Sequence, residues 1–176
     1  MANKKRTIKR ILAMDLSMSL PAYAVMDIAN GKVLVKEIRY TDNKSGNRPK
    51  LSHAERLDRI AKDIAGIFKD YPDIEAVVRE KGFNRYANVT QVLFRVVGVS
   101  DLKVYENSGI TKIDEIAPTS VKRLVAGDGK ASKADVEEGV REHLVELQKD
   151  LTFDTDDCSD AVAVGIAWFI KGGYIE

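Results

Sequence analysis

The chain has 176 residues, a mass of 19.5 kDa, 44% apolar residues and 31% charged residues, which suits one globular domain of ordinary size and excludes a disordered or fibrous polymer. Its net charge of +1 argues against a uniformly basic nucleic-acid binder, although charges of like sign are grouped along the chain. A single cysteine, Cys158, and two histidines exclude an internal disulfide and leave too few ligands for a Cys/His zinc site.

Residues 1–9 read as a basic tail carrying Lys4, Lys5, Arg6 and Lys9. It is either a solvated tail or an auxiliary DNA contact. No secretory signal follows, because Asp15 interrupts the apolar run Ile11–Met14. The longest apolar stretch, Ala161 to Ile170, is about half of the ~20 residues a membrane span needs. The expectation is a cytoplasmic protein with no membrane association, forming one domain over 1–176.

Arg10–Asp15 (RILAMD) and Leu20–Ile28 are apolar runs, and Asn30-Gly31 after them signals a tight hairpin turn. Val33 to Tyr40 alternates as a strand does. These predict three antiparallel strands, followed by a polar loop from Thr41 to Lys50. Ser52 and Glu55 form a capping box ahead of Leu57, Ile60, Ala61, Ile64, Ile67 and Phe68, one face of a helix that Pro72 ends. Ile74 to Glu80 reads as a fourth strand. Val89 to Val97 has helical spacing, with Gly98 as terminator, and Leu102–Glu106 (LKVYE) reads as a fifth strand. Pro118 opens a short helix closed by Gly127, Ser132 caps another to about Lys149, and a last helix runs from near Asp157 to Lys171. The fold class is α/β, with a five-stranded mixed sheet.

Two strand-like runs end in a carboxylate, Asp15 and Glu80, and strand ends are where open α/β sheets bind ligands. Asp157 and Asp160 lie three apart, on one face at the start of the last helix, which is apolar nearly all round beyond them. Four converging carboxylates repel one another unless a divalent cation intervenes, and hard oxygen ligands select Mg²⁺ or Mn²⁺. Two such ions can clamp the attacking and leaving oxygens of a phosphodiester. The set thus points to a two-metal nuclease. Each acid alone also fits a surface or capping role. Asp154 and Asp156 compete with Asp157 for the register, and Glu80 could pair with Arg79 or Lys81.

Basic residues flank these acids. Arg79, Lys81, Arg85, Arg95 and Lys103 form one block, and Lys122, Arg123, Lys130 and Lys133 form another. Ala134–Asp160 instead carries ten acids against Arg141 and Lys149. Such blocks suit a phosphate-binding surface beside a metal site. Phe83, between Gly82 and Asn84, either stacks on an unpaired base or packs under the next helix. Gly129-Lys130 lacks the spacing of a phosphate loop, and neither His53 nor His143 sits where a catalytic base is needed. Cys158 reads as a buried small apolar group, and Trp168 as a core anchor.

On these segments the chain resembles the RuvC-type Holliday junction resolvases of the RNase H-like superfamily. The matching pieces are ILAMDLS, REKGFNRYANV, APTSVKRLVAGDGKASKADV and DDCSDAVAVGIA, in family order from Ile11 to Ala167. The resemblance implies an RNase H-like fold with helices on both sheet faces. It implies Asp15, Glu80, Asp157 and Asp160 as ligands of two Mg²⁺ ions, with Mn²⁺ as substitute. It implies Phe83 as the residue meeting unpaired bases; the charge blocks place Lys81, Arg85, Arg123 and Lys130, with Asn84 beside Phe83, on the expected DNA surface. Lys122 and Lys133 would contact phosphates or stabilise the transition state. A homodimer cutting Holliday junctions in two strands is implied as well. The chain departs from the usual Asp-Pro-Gly at Asp15-Leu16-Ser17, and from a Thr-Gly-Tyr-Gly type segment at Leu20–Ala24. These differences resemble a divergent, bacteriophage-type branch, and extend the expected substrates to forks and other branched DNA. The alternatives are a non-catalytic branched-DNA scaffold of this fold, an RNA-processing nuclease of the superfamily, and a sugar-kinase-like ATPase. The last is disfavoured, because no Gly-rich adenosine motif or second lobe is found.

Overall fold

The computed structural model describes residues 8–46, 49–82 and 87–176. Five strands, β1 (Arg10–Asp15), β2 (Ala22–Ala29), β3 (Lys32–Tyr40), β4 (Ala76–Glu80) and β5 (Asp114–Ile116), form one sheet in the order β3-β2-β1-β4-β5. The first three make an antiparallel meander, whereas β4 and β5 run parallel to β1. The hairpin turn uses Asn30 and Gly31, both at positive φ (52° and 73°), as a two-residue turn matched to strand twist requires.

Alternation along β1 assigns its residues to two cores. Leu12 and Met14 join Tyr23, Val25 and Val77 beneath helices α1 (His53–Asp70) and α2 (Ala87–Ser108). Ile11 and Ala13 join Ala24, Met26 and Val78 beneath α3 (Pro118–Ala126), α4 (Lys133–His143) and α5 (Asp156–Lys171). Helix α5 is almost wholly buried. A Cβ at Gly165 would collide with Met26 and Ala13, so the missing side chain lets α5 settle onto β1 and β2. The expected α/β class, mixed sheet and helix-covered faces are all present.

Four expectations need correction. The LKVYE segment is helix, not strand. It belongs to the 22-residue α2, which passes through Gly98 without stopping. Helix α2 is apolar on two sides: Val96 and Val104 are buried, while Phe94, Leu102 and Tyr105 are exposed. That two-sided pattern imitates strand alternation. The fifth strand is Asp114–Ile116, too short and too acidic to announce itself. Helix α4 ends at His143 rather than near Lys149, because Leu144 turns extended, is fully buried and bridges to Val33 of β3. Ile8 and Lys9, read as part of the basic tail, belong to the folded domain: Ile8 is packed in the core, and the Lys9 amide donates to Glu75 Oε1 at 3.0 Å.

Candidate active site

The parallel pairing of β1 with β4 sets Met14 beside Arg79. The next residues, Asp15 and Glu80, therefore leave the sheet together at its carboxyl edge. Both lie in phase with Ile11, Ala13 and Val78, on the face that α5 covers. Helix α5 begins at this edge, with Thr155 as N-cap accepting from the Cys158 amide at 3.3 Å. Its first two turns bring Asp157 and Asp160 to the strand-end acids. Negative charge there is favoured by the helix dipole.

Burial and mutual repulsion show in the protonation of these groups. Desolvation, then the charges of Glu80, Asp160 and Asp157, pushes the Asp15 carboxyl up to about 7, with Lys133 opposing. Desolvation, then Asp160, pushes Glu80 to about 7 against the pull of Lys122. Asp160 is also raised, by burial first, while Lys133 offsets part of the effect. Asp15 thus feels the other three sequence-expected acids, and Asp160 acts on Glu80 as well. Asp157, not Asp156, is the neighbour felt by Asp15. Asp156 is exposed and paired with Lys133 Nζ at 3.0 Å, which lies 3.9 Å from Asp160. Thr155, not Asp157, is the N-cap.

Among the described residues, no three carboxylate, imidazole or thiol groups are drawn together as a ready-made metal cage. Like charges in a desolvated corner stay apart without a cation between them. The donor set is nonetheless all carboxylate oxygen, and the proton affinity of Asp15 and Glu80 is raised by burial first and by neighbouring carboxylates second. Such a set fits a hard divalent cation.

The expected cations divide by position. Lys122 is half-buried, donates to Ala131 O at 2.8 Å and acts on both Glu80 and Asp160. Lys133 opens α4, 69% exposed, beside Asp156 and Asp160. Lys81, Arg123 and Lys130 are exposed. Arg79 departs from the expected phosphate-binding block. It is 7% exposed, pairs with Asp101 and Glu115, and so joins β4 to α2 and β5. It does not pair with Glu80. Phe83, Asn84 and Arg85 lie outside the described residues.

A cavity of about 390 Å³ runs beside the acids. Asp15, Glu80, Lys81 and the 16–19 loop line one part of it, and Val89, Val92 and Leu93 of α2 line another. The loop is tied by Asn43, and Pro21 just beyond it by Thr41, two residues which the sequence shows only as members of a polar connection. Their partners lie 13 to 25 residues away, and no local spacing announces them. Cys158 is buried, and Trp168, stacked on Tyr174, donates to Asp114 at 2.9 Å.

Known proteins sharpen this picture. The family model described as crossover junction endodeoxyribonuclease RuvC matches residues 11–168. The RuvC of Caldanaerobacter subterraneus subsp. tengcongensis is 31% identical over 168 residues, covering 95% of this chain and 96% of its own. That of Prochlorococcus marinus subsp. pastoris is 30% identical over 166 residues, covering 94% and 99%. The fold is similar to Thermus thermophilus RuvC in complex with Holliday junction substrate, with TM-score 0.79 at 20% identity over 94% of this chain and 96% of that one. It is also similar to the yeast mitochondrial Holliday junction resolvase Ydc2, with TM-score 0.66 at 12% identity over 97% and 83%. No helix among the described residues is long and apolar enough to cross a membrane.

Proposed function

The chain belongs to the RuvC family of crossover junction endodeoxyribonucleases, divalent-metal-dependent enzymes that cut DNA junctions, and from that premise we propose how its own residues do so. Asp15, Glu80, Asp157 and Asp160 would hold two Mg²⁺ ions at this strand edge. Mn²⁺ substitutes. The observation carrying this reading is the strand-end pair Asp15 and Glu80, set side by side by the β1–β4 register, each with its pKa pushed up to about 7 by burial first and neighbouring acids second. Bound metal supplies an activated water and neutralises charge developing on the phosphate.

The remaining work falls to the protein. The carboxylates fix where a phosphodiester sits, at the mouth of the cavity between the 16–19 loop and α2. Lys122, anchored on Ala131 O, offers a fixed positive charge beside Glu80 and Asp160, where it offsets charge on the phosphate. Lys133 faces the same phosphate from the N-terminus of α4. Lys81, Arg123 and Lys130 hold the flanking strands by charge. Phe83, with Asn84 and Arg85 beside it, meets unpaired bases at the branch.

The protein acts as a homodimer, since cutting two strands of one junction takes two such sites. The exposed stripe Phe94, Leu102 and Tyr105 on α2 supports this and supplies an apolar surface for a second copy. We place its work in the cytoplasm of a bacterial or phage-infected cell. Acidic residues compatible with metal binding favour this reading over a non-catalytic scaffold.

The test compares end-labelled four-way junction, three-way fork and linear duplex of shared sequence, in Mg²⁺ and in chelator, beside Asp15→Asn. Metal-dependent paired nicks across the four-way junction are expected. Cutting of forks at a similar rate would broaden the substrate to branched DNA generally. Binding with no cutting in Mg²⁺ or Mn²⁺ would leave the scaffold reading standing instead.

A further inference from the structure

The segment after β3 is more than a connection. The last pair of the β2–β3 ladder is Ala22 with Tyr40, but its hydrogen bonding continues in register. The Thr41 amide donates to Pro21 O at 3.0 Å and the Asn43 amide to Ser19 O at 2.9 Å. The Asn43 side chain, 1% exposed, lies between the β1–β2 loop and α1. Its Nδ2 donates to Met18 O at 3.1 Å and to Arg56 O at 3.2 Å. Two carbonyl acceptors fix which way the amide points. They also leave Oδ1 buried with no hydrogen-bond partner, an arrangement tolerated only where the donated bonds offset it. Thr41 adds a parallel tie: its Oγ1 donates to Asp63 of α1 at 2.6 Å and meets the Tyr23 hydroxyl at 3.1 Å.

One buried asparagine therefore holds two successive carbonyls of the loop, Met18 and Ser19, and fastens them to α1. That loop is the direct continuation of Asp15, and residues 16–19 form a wall of the cavity beside the acids. Within the loop, the Leu20 amide donates to Ser17 Oγ at 3.0 Å, and Asn43 supplies the ties from outside it.

We infer that Asn43 is a positioning residue for cleavage, locking the 16–19 loop and through it the carboxylate of Asp15. The inference rests on the reading of Asp15 as a metal ligand. Displacement of a reacting group by about 1 Å can lower a rate on the order of a hundredfold. A loosened loop samples both good and poor geometries, so a loss of about tenfold is expected.

The variants are Asn43→Ala, which removes both donors, and Asn43→Ser, which keeps one hydroxyl donor. Hydrogen exchange on the metal-free protein should show faster exchange at residues 17–20, with β1, β2 and α1 unchanged. Single-turnover cleavage of a four-way junction should fall about tenfold in Asn43→Ala. More Mg²⁺ should be needed for the half-maximal rate, and junction binding in chelator should hold within about twofold. Asn43→Ser should recover part of each loss. Wild-type cleavage with wild-type Mg²⁺ dependence in Asn43→Ala would overturn the inference. So would exchange that rises throughout the molecule in step with lost activity, since that marks a residue needed only for folding. Should the wild-type protein cut no junction, the parent reading fails, while exchange at residues 17–20 still decides whether Asn43 clamps the loop.

Discussion

The two ends of β1 lie about 17 Å apart at strand rise and treat charge in opposite ways. At the amino end, Arg10 is held by Asp27 at 2.7 Å and by Asp73 at 2.7 Å, and lies over the Tyr71 ring. Arg10 and Asp27 are both nearly buried, so each charge has its partner inside the protein. At the carboxyl end, Asp15 faces Glu80, Asp157 and Asp160, and among the described residues Lys122 and Lys133 offset them. One end is electrostatically closed. The other is left incomplete, with more carboxylates than cations among the described residues. A strand used this way separates what folds the protein from what works in it.

Neutralising the incomplete end should produce the largest effect. Asp15→Asn is expected to lower junction cleavage by on the order of a thousandfold or more, the several kcal/mol that metal-assisted catalysis supplies. Junction binding in chelator should be retained. Single-turnover kinetics beside a binding isotherm would decide it; wild-type turnover would remove Asp15 from the mechanism. The opposite end should respond in the opposite currency. Arg10→Met strands Asp27 in a nearly buried position, and a loss of about 2 kcal/mol is expected in urea unfolding. Cleavage per folded molecule should be unchanged. A variant that lost activity while keeping its stability would break the division between the two ends.

The same contrast has a pH signature. Asp15 and Glu80 ionise near 7 when folded but near their ordinary 3.8 and 4.5 when unfolded. Between those values the folded chain binds more protons. The stability these groups contribute is full below about pH 4, and is lost as pH rises through about 7. Asp15→Asn removes one such group. Its melting temperature in chelator should match wild type near pH 4 and exceed it increasingly towards pH 8. Adding Mg²⁺ at pH 8 should reverse the order, since only wild type binds the ion fully. A constant difference across pH would show that the carboxyl end carries no such strain.

This division was half legible in the residues themselves. Strands ending in Asp15 and Glu80, and Asp157 with Asp160 on one turn of an apolar helix, are local patterns with a physical reason behind them. So are the Asn30-Gly31 turn and the capping boxes at Ser52 and Ser132. What escaped depends on partners distant in the chain. Helix α2 reads as helix then strand, because its outer face carries Phe94, Leu102 and Tyr105 in addition to the buried inner face. Strand β5 is three residues long and exists only because β4 offers an edge. Arg79 reads as a phosphate ligand until Asp101 and Glu115 meet it. Asn43 reads as loop filler until Met18 and Arg56 supply its acceptors.

The smallest effect concerns Asp156, which the sequence leaves as a rival to Asp157. It is 72% exposed and pairs with Lys133 at 3.0 Å, so it occupies the lysine that would otherwise face a phosphate. Exposed pairs contribute about 0.2–1 kcal/mol, which limits the gain on releasing Lys133 to about fivefold in affinity. Asp156→Asn should tighten junction binding in chelator by about twofold to fivefold. It should also steepen the salt dependence by about one counterion, as one added phosphate contact requires. Asp154→Asn makes the same change in net charge two residues away, and separates release of Lys133 from general repulsion. If both variants tighten binding equally with no change in slope, the effect is general repulsion. If only Asp156→Asn steepens the slope, the carboxyl end holds a competitor for its own lysine, and DNA must displace it on binding.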